Sequence, residues 1–220
     1  EFPLLDTPGH VDFSTEMERT LQVLDYAILV VSGADGVQNH TQTLWQLLIR
    51  YQIPTFLFIN KMDLAGADRT KLLDELKSRL SDRCVDFNEA EPADAFAEAL
   101  AMCDERLLEE YLDQGHIQAD TLCSAIAKRQ VFPCYFGSAL KLQGIDSFLQ
   151  GLEKYAVSFV PQPRFAAKVF KISQDEQGNR LTHVKITGGT LQVRQTLGEK
   201  PDREESLAEK VNQIRLYSGA

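Results

Sequence analysis

Long hydrophobic runs are missing from this 220-residue chain: no apolar stretch approaches the roughly 20 residues a membrane helix needs, so no membrane partner is expected. The four cysteines, Cys84, Cys103, Cys123 and Cys134, form no C-x-x-C pair. That argues against a zinc knuckle or a thioredoxin-type centre and for reduced thiols in a reducing compartment. Neither an initiator Met nor a basic or apolar leader precedes Glu1, so the sequence reads as an interior stretch of a cytoplasmic protein. A basic surplus is also lacking. Net charge is −9, which speaks against a free-standing nucleic-acid binder but leaves room for a module touching RNA within a larger assembly. With 44% hydrophobic and 25% charged residues, disorder and collagen-like structure are excluded.

Charge is distributed unevenly. Residues 1–158 carry 13 Lys/Arg against 25 Asp/Glu, whereas residues 159–220 carry 10 against 7. Such asymmetry predicts two modules. Within the first, residues 82–113 hold eleven acidic residues against Arg83 and Arg106, which reads as a solvated helical face or a docking face for a basic partner.

Hydrophobic patterning supports the division. Residues 2–5 read as the end of a buried strand, and Phe13, Met17, Leu21 and Leu24 place a helix over 12–24. The continuous apolar run at 26–31 predicts a parallel strand covered on both faces. A helix over 40–51 follows, with Trp45 and Leu44, Leu47 and Leu48 as core, then a strand over 55–59 and an amphipathic helix over 68–81. Residues 93–129 read as two or three helices broken near Gly115, before a strand at 131–136 and a helix at 145–155. Alternating strand and helix predict an open parallel α/β sheet with flanking helices. After a linker at 160–163, residues 165–172, 180–186 and 210–217 are β-rich, with Gly178-Asn179 and Gly188-Gly189 as turns. They predict a second, all-β module, part of a barrel.

Open α/β sheets bind ligands at the carboxyl ends of their strands, where three polar clusters fall. Asp6-Thr7-Pro8-Gly9-His10 joins a carboxylate suited to hydrated Mg²⁺, a glycine whose bare backbone can approach a phosphate, and a histidine that can orient water. Asn60-Lys61-Met62-Asp63 places a carboxylate where it can accept two hydrogen bonds from the N1–H and 2-amino edge of guanine, which adenine cannot offer. Lys61 can lay its stem over the base. Gly137-Ser138-Ala139 offers backbone N–H groups to a base oxygen. Each cluster alone also reads as a turn or a cap. The order phosphate, base, base, with 54 residues from Asp6 to Asn60, sets them together. His40, His116 and His183 stand apart from other ligand types, so no metal site is expected from them.

DTPGH, NKMD and GSA in this order resemble the third, fourth and fifth motifs of GTP-binding proteins. DTPGHVDF, with histidine at position 10, is similar to the translational GTPases, as is Asp35-Gly36-Val37. The stretch from Leu181 to Leu191 resembles the start of their β-barrel domain II. The 75 residues from Asp63 to Ser138 exceed the corresponding stretch of a minimal G domain, and this helical insertion, at about 65–130, is similar to that of the tetracycline-resistance ribosomal protection proteins, relatives of elongation factor G. The resemblance implies that Asp6 acts on Mg²⁺ through water and that the Gly9 amide senses the γ-phosphate of GTP. It further implies that His10 positions the hydrolytic water, that Asn60 and Asp63 select guanine with Lys61 on the base, and that Ser138 and Ala139 close the pocket. It implies the ribosome, RNA and protein, as partner and activator.

The family's phosphate loop, G-x-x-x-x-G-K-[ST], has no match in the 220 residues. The expectation is therefore an incomplete G domain over 1–158 and the first part of domain II over 159–220. These residues alone should neither bind nor hydrolyse GTP appreciably. The strand that carries the loop should be missing too, with its place taken by direct pairing of 2–5 with 26–31 or by a second copy of the chain. A non-catalytic ribosome-binding module on the same folds is the alternative.

Overall fold

Short runs rich in aromatic and β-branched residues build one parallel sheet: β1 (Ala27–Ser32), β2 (Thr55–Asn60), β3 (Cys84–Asp86) and β4 (Phe132–Phe136), in the order β1-β2-β4-β3. The computed structural model describes residues 4–5, 20–88, 93–157, 162–197 and 209–216. The chain divides into two compact units, residues 1–159 and 160–220.

Two helical layers cover the sheet of the first unit. On one face, Trp45 and Leu48 of α1 (Asn39–Arg50) and Leu72 and Leu76 of α2 (Arg69–Arg79) pack on Leu29, Val31, Leu57, Ile59 and Phe132. The other face packs Phe56, Phe58 and Tyr135 against four helices: α3 (Ala93–Ala101), α4 (Glu105–Gln114), α5 (Ala119–Ala127) and α6 (Ile145–Tyr155). A strand covered on both sides should be apolar throughout, and residues 55–59 of β2 are all buried. Thr55, the one polar side chain among them, donates its hydroxyl to the Ile53 carbonyl at 2.9 Å. Local signals end the helices as the sequence requires. Asp68 and Asp104 cap α2 and α4 by accepting from the amides of Lys71 and Arg106, and Gly115 stops α4 in the left-handed region.

The fold class read from the sequence is the one found, and 93–129 resolves into three helices. Several details differ. Leu4 and Leu5 are exposed and outside any strand, because the described residues supply them neither a ladder partner nor a covering helix. The expected direct pairing of 2–5 with β1 is therefore not seen at these two positions, and β1 is an edge strand among the described residues. Nor do the described residues cover β1 on both faces. Ile28 and Val30 alternate onto the face of α3 to α6, which pack on Phe56 and Phe58 and leave these two exposed. The helix expected over 12–24 lies outside the described residues up to position 19. Thr20 and Leu21 are helical, and a turn follows at 22–23. The strand β3 carries no sequence prediction: three residues are too few for a period.

The second unit is built on an antiparallel hairpin, β5 (Ala166–Gln174) and β6 (Arg180–Gly188). Its turn is tied by Asp175, whose carboxylate accepts from the amides of Gln177 and Asn179 at 3.1 and 2.8 Å. A second pair, β7 (Thr196–Leu197) with β8 (Glu209–Lys210), is only two residues long. The strand expected over 210–217 therefore stops at Lys210. Its partner offers no further ladder after Arg194 donates to Val211 and Val211 to Gln195.

Candidate functional site

Register brings three loops to one end of the sheet. Ser32 stands opposite Asn60, and Ile59 opposite Phe136, so the chain leaves β1, β2 and β4 at the same level. The exits are held together. Gly33 N–H donates to the Asn60 carbonyl at 2.7 Å, Gly137 N–H to Ile59 at 2.9 Å and Met62 N–H to Gly137 at 3.0 Å. There is little room for a side chain here, least of all at Gly137, where the obstacle is backbone. A Cβ on Gly33 would lie 2.7 Å from the Met62 sulfur, and one on Gly137 would lie 2.2 Å from the Gln143 carbonyl oxygen.

Five residues singled out from the sequence, Asn60, Lys61, Asp63, Ser138 and Ala139, meet at this end. The half-buried Asn60 uses Oδ1 twice, accepting from the Lys61 amide at 2.8 Å and from the Ala139 amide, 79 positions away, at 2.9 Å. Lys61 takes a left-handed φ of 64°, which turns the chain out of β2 and leaves its side chain exposed. Ser138 is buried, and its hydroxyl lies beside the Asp63 carboxylate, where it can donate a hydrogen bond to the ionised form. That hydrogen bond is the main reason the Asp63 carboxyl sits below its ordinary range; its own amide and the Lys141 ammonium, 3.4 Å away, add to it, while desolvation opposes. The sign follows directly. Asp63 is ionised at neutral pH, and its contribution is lost only as pH falls through its lowered value.

The arrangement offers an acceptor-only carboxylate, a cross-linking amide, an exposed lysine stem and bare backbone side by side. These suit a flat base that presents two adjacent donors, and so the residues present fit guanine. Asp6, Gly9 and His10 lie outside the described residues. Among the described residues no cluster of three or more His, Cys, Asp or Glu could hold a metal ion.

Three contributors were not singled out from sequence: Gly33, Lys141 and Asn88. Where the β3–β4 ladder ends at Asp86, the Asn88 side chain continues it. Its Oδ1 accepts from Phe136 N–H at 2.9 Å and its Nδ2 donates to the Phe136 carbonyl at 3.1 Å. Asp86, ion-paired with Arg69, accepts the Asn88 amide at 3.0 Å and fixes that side chain. The available signal was an Asn just past a short apolar segment, as at Asn60. Asn88→Ala should leave both main-chain groups of a buried residue unpartnered next to Gly137, at a cost of roughly 1–3 kcal/mol. In the full-length protein, a drop in the thermal midpoint together with weaker guanine-nucleotide binding is the expected result; an unchanged midpoint would remove Asn88 from the scaffold.

The loops gather at the carboxyl ends of the strands of an open parallel sheet. A family model described as the elongation factor Tu GTP binding domain matches residues 1–158, and the chain belongs to this family of translational GTPases. The chain is 35% identical to the oxytetracycline resistance protein of Streptomyces rimosus, with 88% of this chain and 33% of that protein covered. It is 33% identical to the tetracycline resistance protein TetP of Clostridium perfringens over 98% of this chain and 36% of that protein. With TetM from Streptococcus pneumoniae the identity is 34%, over 88% of this chain and 33% of the relative. The chain thus spans about a third of the length of these relatives. The fold is shared with a Thermus thermophilus protein of known crystal structure, at a TM-score of 0.70 and 22% identity, over 94% of this chain and 40% of that one.

Proposed function

We propose that the protein carrying this chain binds and hydrolyses GTP on the ribosome and acts as a tetracycline-protection factor or a close elongation-factor-G-like homologue. The observation that carries the reading is the pairing of an ionised Asp63 with an Asn60 side chain cross-linked to Ala139. In it, Asn60 and Asp63 select the base, Lys61 packs on it, and Ser138 and Ala139 close the pocket. Asp6, Gly9 and His10 are assigned to Mg²⁺ through water, to the γ-phosphate and to the hydrolytic water. Mg²⁺, when bound, supplies charge neutralisation at the phosphates. Residues 1–158 act as the C-terminal part of a G domain and 159–220 as the first part of domain II. The names of the relatives support tetracycline resistance over translocation.

Without a phosphate loop in these 220 residues, we assign little GTP affinity to the chain taken alone. The full-length protein is the object of the test. Fluorescent GDP bound to it should be displaced by GTP and not by ATP, and ribosomes should stimulate phosphate release. Equal displacement by ATP would overturn the base assignment, and release indifferent to ribosomes would overturn the partner.

A further inference from the structure

Lys141 lies in the loop between β4 and α6, beside the strongly exposed Leu140 and Leu142. This loop is tightly folded. Ser138 and Gln143 exchange backbone hydrogen bonds at 2.9 and 3.0 Å, and Leu142 N–H donates to Ala139 at 3.2 Å. Lys141 itself reaches Asp63 by two routes. Its amide donates to Ser138 Oγ at 3.4 Å, and that hydroxyl lies beside the Asp63 carboxylate and favours its ionised form. Its ammonium stands 3.4 Å from Asp63 Oδ2. The side chains are 54% and 13% exposed, so the carboxylate is the sheltered partner and the lysine the one open to water.

Resting on the reading of the site as a guanine pocket, we propose that Lys141 is a specificity-positioning residue. Its ammonium holds the Asp63 carboxylate in the orientation that accepts the two donors of the guanine edge. A carboxylate on a rotatable side chain can turn away from a base. Fastened by the Lys141 ammonium at Oδ2 and by the Ser138 hydroxyl, it has its torsion set before the base arrives, which is preorganisation in the ordinary sense. The carboxylate has about four lone-pair directions, so one oxygen can keep the lysine while accepting from a base. The Lys141 amide, fixed by the turn, makes the hydroxyl arm independent of the side chain. Replacing the side chain therefore removes one arm and leaves the other.

The test compares GDP with IDP, whose base lacks the 2-amino donor, on the full-length protein. Lys141→Met should weaken GDP binding roughly fivefold, the scale of a partly exposed ion pair, and weaken IDP less, so the GDP-to-IDP ratio narrows. Lys141→Arg should restore most of the ratio, and both variants should keep the wild-type thermal midpoint. An unmoved ratio, or equal weakening of both nucleotides, overturns the positioning role. Tighter GDP binding by Lys141→Met overturns it as well, since the lysine would then be a plug on the carboxylate. A wild type indifferent between GDP and ADP overturns the guanine reading and this role with it. GDP preference with an unmoved ratio overturns the role of Lys141 alone.

Discussion

Asp63→Asn in the full-length protein is expected to weaken guanine-nucleotide binding by roughly two to four orders of magnitude, since each hydrogen bond to a charged acceptor contributes about 1.5–3 kcal/mol and two are disturbed. The carboxylate is acceptor-only, and the guanine edge presents two donors to it. An amide in its place keeps one acceptor and turns a donor toward the other base donor, so two N–H groups confront each other. The same replacement suits xanthine, whose carbon 2 carries a carbonyl that accepts from the new N–H. The variant should therefore gain xanthosine diphosphate binding as it loses GDP. Displacement of a fluorescent guanine nucleotide by both ligands checks the exchange. Unchanged GDP affinity would mean that Asp63 does not read the base.

Trp45→Ala is the largest expected loss of stability. The indole is 1% exposed, stands edge-on to Phe132 with centroids 4.7 Å apart, and donates from Nε1 to the Leu80 carbonyl at 2.9 Å. Its removal opens a cavity between α1 and the sheet and leaves the carbonyl at the end of α2 without this donor. Truncations of this kind cost about 3–5 kcal/mol. For a unit of this size, that lowers the midpoint by roughly 10 °C. Circular dichroism is the suitable measurement, because Trp45 is the single tryptophan of the 220 residues and its fluorescence goes with it. Trp45→Phe keeps a ring against Phe132 and loses the hydrogen bond, so its loss should be smaller. A shift of only a degree or two for the alanine variant would contradict the packing described.

Most of the fold was legible because the central strands and the helices after them carry strong patterns. Residues 55–59 are apolar almost without interruption, and the 145–155 helix has its boundaries in the sequence. What escaped depends on neighbours. Ile28 and Val30 look like core from composition, but only the position of β1 at the edge of the sheet among the described residues, beyond the reach of α3 to α6, decides that they are exposed. Cys84, Val85 and Asp86 form a strand because β4 lies beside them, not because three residues prefer it. In the site, Asn60, Asp63 and Ser138 were visible as a spacing of polar residues after strands. Lys141 and Asn88 were not, since an exposed lysine and an asparagine in a loop have no distinguishing mark until their partners, Asp63 and Phe136, are brought within reach.

The stretch between Met62 and Gly137 leaves the sheet at β2, enters it again as β3 and comes back beside β2 as β4, where the Met62 N–H meets the Gly137 carbonyl. Its two ends are thus stapled at a fixed separation whatever lies between them. The entropy of closing such an excursion rises only with the logarithm of its length, about 0.6 kcal/mol for each doubling. Residues could accordingly be added in its exposed turns with little penalty while the Met62–Gly137 staple keeps its length, whereas β3 is part of the sheet, α2 to α5 pack on it, and none of these can be dispensed with. An insertion in the turn between α4 and α5, where nothing lies within 4 Å of a Cβ on Gly115, would then be tolerated where a single methyl group on Gly137 is not.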